Sequence, residues 1–246
     1  MLLKERLDKI THIVNERGSV TNHELMTLLN VSESTIRRDV TMLAADNKII
    51  RSHGGAVSLG SAETYTKDRD VSDRRSQNRE KKIRIGKAAA SLIKDNDLVY
   101  IDAGTTTEYM IDYITAFGAT FVTNAVAHAV KMAKRGLSVF IIGGQIKSVT
   151  EAIIDSEAIV SLSKYNFTKG FFGSNGISEE EGFTTPDICE AGVKSFAMNK
   201  CALKYVLCDS GKFGKLSRIT FEGPEGVTVI TDKKPEGFEN YNIMEA

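Results

Sequence analysis

Six short apolar runs, each closing on glycine or polar residues and each separated by stretches of helical spacing, set the main constraint on this chain. They fall at 98–101, 120–123, 137–142, 170–173, 205–208 and 227–230. Runs of this length, apolar without strict alternation, are what strands look like when both faces of their sheet are covered. Between them lie helical patterns: Ile83, Ile85, Ala88, Ala89, Leu92 and Ile93; a helix around 109–117; another through Lys134; and a fourth over 187–200. This alternation predicts an α/β domain over residues 81–246 with a mostly parallel sheet.

In such sheets ligands bind beyond the carboxyl ends of the strands. Those ends carry Asp102 with Gly104, Thr105, Thr106 and Thr107; then Asn124; Gly143 and Gly144; residues 173–176; and residues 209–212. A single glycine at a strand end answers a turn requirement, but its repetition at successive ends points to a pocket. The Gly-Thr-Thr-Thr junction offers backbone N–H groups and hydroxyls to a phosphate, with Thr105 and Thr106 expected to face the cleft. It is neither a P-loop nor a dinucleotide fingerprint, because the Gly-Lys-Ser/Thr and G-x-G-x-x-G spacings are absent.

The first 57 residues read differently. Leu3, Leu7, Ile10 and Val14 share one helix face that ends near Gly18. Thr21 and Glu24 form a capping box for a second helix with Leu25, Leu28 and Leu29 on its apolar side. After the turn at Asn30 and Val31, Ser32 caps a third helix buried through Ile36, Val40 and Leu43. Two short strands then turn at Gly54 and Gly55, as a wing does. Three short helices with a tight second turn make a helix-turn-helix in outline. Ser34, Thr35, Arg37 and Arg38 lie off the buried stripe of the third helix, where arginine pairs with guanine and hydroxyls reach bases or phosphates. Arg51 and His53 on the wing would face the DNA backbone.

Charge supports this division without proving it. The 246-residue chain has a formal net charge of zero, yet residues 57–94 carry ten basic against five acidic groups and residues 95–246 fourteen against twenty. No run approaches the roughly 18 apolar residues of a membrane span, and the charged N-terminus lacks a secretory signal pattern. Cys189, Cys201 and Cys208 match no zinc or redox spacing, so reduced thiols in a cytoplasmic protein are expected. No metal or other cofactor is expected.

Residues 31–57, VSESTIRRDVTMLAADNKIIRSHGGAV, closely resemble the signature of the DeoR family of bacterial regulators of sugar and nucleoside catabolism. Further likeness runs through IDAGTTT, FVTNA, FIIGG, GSNGIS, EEGFTTPDICEAGVK and LCDSGKFG, so it covers nearly the whole chain. The resemblance implies a winged helix-turn-helix at 1–57, a polar connector with some local helix at 58–80, and an effector domain at 81–246 similar to ribose-5-phosphate isomerase and other sugar-phosphate-binding proteins. It places Ser34, Thr35, Arg37 and Arg38 at DNA, and has Asp39 orient an arginine or close the domain by a salt bridge. Residues 104–107 become the phosphate loop, and Asp102, Asn124, Lys194, Asp209 and Lys212 line the effector pocket.

The implied function is a repressor of a sugar catabolic operon that binds operator DNA as a dimer or tetramer and responds to a phosphorylated sugar. A sugar-phosphate-binding adaptor without DNA function leaves the cluster from Ser34 to Arg38 unexplained. An isomerase needs a carboxylate base, and related isomerases carry Asp in a Gly-Ala-Asp element where this chain has Gly173-Ser174-Asn175-Gly176. Family members commonly keep that Asp, so Asn175 departs from both patterns, and no catalytic residue is expected.

Overall fold

The N-terminal elements form in a computed structural model of the chain, which describes residues 3–46, 48–52, 54–58 and 71–246. Helix α1 (Leu3–Arg17) buries Ile10 and Val14, and the chain leaves it through Gly18 at φ +78°. After the three-residue strand β1 (Ser19–Thr21), Thr21 and Glu24 make a complete capping box for α2 (Asn22–Leu29). Asn30 closes α2 in the left-handed region, and the Ser32 side chain caps α3 (Glu33–Ala45) by accepting from the Thr35 N–H. Strands β2 (Ile49–Ser52) and β3 (Gly55–Ser58) form the hairpin, and β1 pairs with β3 to complete a three-stranded antiparallel sheet. That third strand was not expected from three residues of helix lead-in. It dictates Gly55: a Cβ there would sit 2.1 Å from the Val20 carbonyl oxygen. Ile10, Val14, Leu25, Ile36, Val40, Leu43 and Ile49 meet in one core. His53 lies outside the described residues.

The chain divides into two compact units, Met1–Lys67 and Asp68–Ala246. Among the described residues the second unit opens with α4 (Val71–Ser76) and α5 (Arg79–Ala90), so most of residues 71–80, read from sequence as the end of a connector with some local helix, is helical and bonded into this unit. The order continues β4 (Leu98–Ile101), α6 (Thr105–Ile111), β5 (Thr120–Thr123), α7 (Val126–Lys134) and β6 (Ser138–Ile141). Next come β7 (Gln145–Lys147), β8 (Ala152–Ile154), α8 (Ser156–Ser163), β9 (Phe167–Gly173), β10 (Gly176–Ser178) and β11 (Gly182–Thr185). The unit ends with α9 (Ile188–Asn199), β12 (Cys201–Leu207), a 3-10 turn at Ser210–Lys212, β13 (Ile219–Glu222), β14 (Val227–Thr231) and β15 (Asn242–Glu245).

Seven strands form one sheet in the order β15-β14-β12-β9-β4-β5-β6, and every pairing in it is parallel. All six expected strands are in it. One apolar cluster packs on each face, the first around Phe172, Leu162 and Met198 and the second around Phe121, Ile85 and Met110. The antiparallel additions β7-β8 and β10-β11-β13 lie outside the sheet. Helix α6 starts earlier than the 109–117 pattern suggested. The Thr107 hydroxyl donates to the Asp102 carbonyl at 2.7 Å and the Gly104 carbonyl at 2.8 Å, which draws the threonines into the first turn. Among the described residues no helix is long and apolar enough to cross a membrane.

Candidate functional site

The first surface with a chemical identity is the solvent side of α3. Ile36, Asp39, Val40 and Leu43 turn inward, while Ser34, Arg37 and Arg38 are exposed and Thr35 is half-buried. The hydroxyls of Ser34 and Thr35 both bond the Ser32 cap, at 3.0 and 2.9 Å. Arg37 lies along the helix against Glu33, its Nε donating over 2.9 Å, whereas the Arg38 side chain stays two-thirds exposed. Asp39 is fully buried and accepts two bonds from Arg6 of α1, at 2.5 and 3.3 Å. It thus ties α1 to α3, the domain-closing alternative of the two open in the sequence. Arg51 is exposed on β2.

The second site follows from strand order. β4 leads to β5 and β6 on one side, while β9 leads to β12, β14 and β15 on the other, so the order reverses between β4 and β9. Open α/β sheets bind ligands in the crevice at such a reversal. A cavity of about 100 Å3 opens there, beyond the ends of β4, β9 and β12, several times the ~10–15 Å3 that one water requires. Gly104 and Gly173 meet across the crevice: a Cβ on Gly104 would come within 3.8 Å of the Gly173 Cα.

Five cations line the cavity, Arg74, Lys82, Lys194, Lys212 and Lys215, against two carboxylates, Glu190 and Asp209. Lys82 is the most constrained. Its ammonium donates to the Arg74 carbonyl and, at 2.9 Å, to the Thr105 hydroxyl. Burial pushes its pKa down to about 8, with Lys212 and Arg74 adding repulsion that Asp209 and Glu108 partly offset. Burial also lowers the Lys212 pKa, and Asp209 opposes this. Glu190 is held by the Thr150 hydroxyl at 2.6 Å and by Lys147 at 3.2 Å. Asn175 also lines the cavity, its side-chain oxygen accepting from Thr185 at 3.3 Å. Cations crowded together and stripped of water favour an anionic ligand.

The structure sorts the residues expected here. Gly104, Thr105, Thr106, Lys194, Asp209 and Lys212 line the cavity. Asp102 sits beneath it, almost wholly buried, bonded to Lys194 and to the Gly173 N–H, with its Oδ1 unpartnered. Burial raises its pKa against the pull of Lys194. Thr107 is fully buried and spends its hydroxyl on the two carbonyls that start α6. Asn124 is likewise buried, accepting from the Ala103 N–H and donating to the Ile153 carbonyl, so it spaces the loop rather than facing the cavity. Gly143 and Gly144 follow the edge strand β6, two strands from the reversal, and do not line it.

Sequence reasoning missed the contribution of α4 and α5. Arg74, Gln77, Asn78 and Lys82 line the cavity, and Asn78 bonds Asp209 at 3.0 Å across 131 residues. One signal was present: Lys82 precedes Ile85 by three and Ala89 by seven, which puts a lysine on the buried stripe of α5. His128 lines a smaller adjoining cavity with Arg75, and burial lowers its pKa to about 3, so it is neutral at physiological pH. Among the described residues no group of three or more His, Cys, Asp or Glu is placed to hold a metal.

Residues 6–62 match the model of the DeoR-like helix-turn-helix domain, and residues 77–233 that of the DeoR C terminal sensor domain. The chain is 39% identical over 243 residues to the uncharacterized HTH-type transcriptional regulator FruR of Bacillus subtilis (strain 168), covering 98% of this chain and 96% of the relative. It is 35% identical to a lactose phosphotransferase system repressor of Staphylococcus epidermidis, with 96% of each chain covered. Ribose 5-phosphate isomerase A of Methanocaldococcus jannaschii aligns with a TM-score of 0.41 at 14% identity over 56% of this chain and 55% of that one, too little to define a common fold.

Proposed function

The chain belongs to the DeoR family of transcriptional regulators, and on that premise we propose that it represses a sugar catabolic operon, with a phosphorylated sugar in the cation-lined cavity setting its hold on DNA. The observation that carries the ligand class is the excess of buried and half-buried cations at the strand-order reversal. The phosphoryl group sits against Lys82, Lys212 and the hydroxyls of Thr105 and Thr106, since charge-assisted bonds to a dianion offset the desolvation these lysines suffer. Glu190, Asn175 and Lys194 then face the hydroxyl-bearing part of the sugar. The repressor names of the relatives support the sign of regulation and the link to sugars. With Asn175 where a proton-abstracting carboxylate would stand, the sugar phosphate is bound and not turned over.

On the DNA side, α3 enters the major groove, with Ser34, Arg37 and Arg38 toward bases and phosphates and Arg51 on the flanking backbone. One such helix reads too few bases to define an operator, so the protein acts at least as a dimer on paired half-sites.

The test is a band-shift titration on DNA upstream of the genes neighbouring its own, against a scrambled duplex. It is repeated with fructose 1-phosphate, tagatose 6-phosphate, ribose 5-phosphate and glycerol 3-phosphate. Preferential binding to the upstream DNA is expected, with one sugar phosphate weakening it about 5–150-fold, the usual range of coupling between two sites. Equal affinity for both duplexes overturns the operator reading, and indifference to all four compounds overturns the ligand class.

A further inference from the structure

Arg74 stands apart from the other cations of the cavity. It belongs to α4, upstream of the 77–233 segment that matches the sensor-domain model. It lines both the main cavity and the smaller one beside it. Its Nε is buried and has no hydrogen-bond partner among the described residues. The next residue is differently placed, because Arg75 pairs with Glu108 of α6 at 3.0 Å. The backbone around Arg74 is also held: its carbonyl accepts from Lys82, Tyr109 donates to the Arg75 carbonyl at 3.2 Å, and Asn78 reaches Asp209. A buried guanidinium N–H left open carries an uncompensated desolvation penalty, and Arg74, Lys82 and Lys212 repel one another. One ligand would relieve both burdens: a phosphate monoester, with three terminal oxygens and up to two negative charges.

We infer that Arg74 is a ligand-binding residue whose guanidinium, with Lys82 and Lys212, cradles the phosphoryl group of the effector. Nε and one terminal nitrogen give it two parallel donors, the geometry in which arginine takes a phosphate. Among the described residues α4 is the first element of the sensor unit, beginning thirteen positions after the end of β3. Ligand contact at Arg74 therefore fixes α4, the described element of the sensor unit nearest in sequence to the reader. The inference rests on the reading of the cavity as a sugar-phosphate site.

Calorimetric titration of the full chain with inorganic phosphate and with the four sugar phosphates above tests it, using wild type, Arg74→Ala, Arg74→Lys and the cavity-remote Arg84→Ala. Wild type and Arg84→Ala should bind alike. Arg74→Ala should bind about tenfold or more weakly, the loss of a bond to a charged group. Arg74→Lys keeps the charge and the stem, guarding against misfolding, and should recover only part of the affinity because an ammonium lacks the paired donors. Hydrogen exchange supplies a second readout: ligand should slow the amides of residues 71–76 in wild type and not in Arg74→Ala. If wild type binds and both Arg74 variants bind within twofold of it, or if ligand leaves those amides unchanged, the role of Arg74 is refuted while the sugar-phosphate reading stands. If wild type binds none of the five probes, the cavity reading itself fails, and this inference with it.

Discussion

Replacing Lys82 with methionine should stabilise the unliganded protein while weakening its hold on anions. The buried ammonium titrates near pH 8, against 10.5 for a free lysine, a gap worth about 3 kcal/mol at about 1.36 kcal/mol per pH unit. Water at the cavity mouth screens part of this, leaving about 2 kcal/mol. The bonds to the Arg74 carbonyl and the Thr105 hydroxyl return about 1 kcal/mol when lost. The net gain at pH 7.5 is about 1 kcal/mol, or about 2–4 °C in Tm for a unit of this size. The sign with pH is fixed by the direction of the shift. The folded pKa lies below the unfolded one, so between pH 8 and 10.5 the unfolded chain binds more protons and wild-type stability rises through that window. The methionine variant lacks this rise, so its advantage should vanish near pH 9 and turn into a deficit of about 0.5 kcal/mol by pH 10. A bound dianion holds the proton on Lys82, so wild-type affinity for inorganic phosphate should fall as pH passes 8. Melting curves from pH 7.5 to 10 check the first part and calorimetry the second. A variant that melts below wild type at pH 7.5, or an advantage constant across the range, would refute the reasoning.

Four further outcomes are expected. Arg38→Ala should cost about 1–3 kcal/mol of operator binding if it reads a base, and a band-shift should show a smaller loss for Arg37→Ala, whose side chain already pairs with Glu33. Arg6→Met should destabilise the N-terminal unit by leaving the buried Asp39 carboxylate without its main partner, visible as early loss of helix by circular dichroism, with Asp39→Asn added to it restoring part of the stability. Thr107→Val should lower Tm by removing a buried hydroxyl that serves two carbonyls, at about 1–3 kcal/mol. Thr106→Val should leave Tm unchanged and reduce sugar-phosphate affinity, which paired melts and calorimetry would separate.

Features written in local spacing were legible. The capping box at Thr21 and Glu24, the Ser32 cap, the buried stripe of α3 and six of the seven parallel strands each depend on residues within one or two turns of each other. The seventh, β15, has the sequence Asn-Ile-Met-Glu and joins only because β14 offers it an open edge. What spacing could not convey was depth. Asp102, Thr107 and Asn124 belong to the same strand-end clusters as the cavity-lining Gly104, Thr105 and Thr106, yet each is buried and bonded within the protein. Nor could it convey convergence over long separations: Lys82 meets Thr105 across 23 residues and Asn78 meets Asp209 across 131. Charge made the segment before residue 95 look like a solvated basic stretch. In the fold, part of that charge is turned inward.

The bonding of α4 and α5 also decides where this protein can be recombined. Arg75 to Glu108, Asn78 to Asp209 and Lys81 to Ser210 and Asp232 fasten residues 75–81 to three different parts of the sensor unit. A hybrid that borrows a reader from a relative keeps all of these anchors only when the junction lies before Arg75. A junction inside α5 would exchange one set of anchors for another, because Lys81, Lys82 and Arg84 would then come from the donor and Asp209 and Asp232 from the host. A reader should therefore be exchanged among such proteins as residues 1–67, with the helices that follow travelling with the ligand specificity.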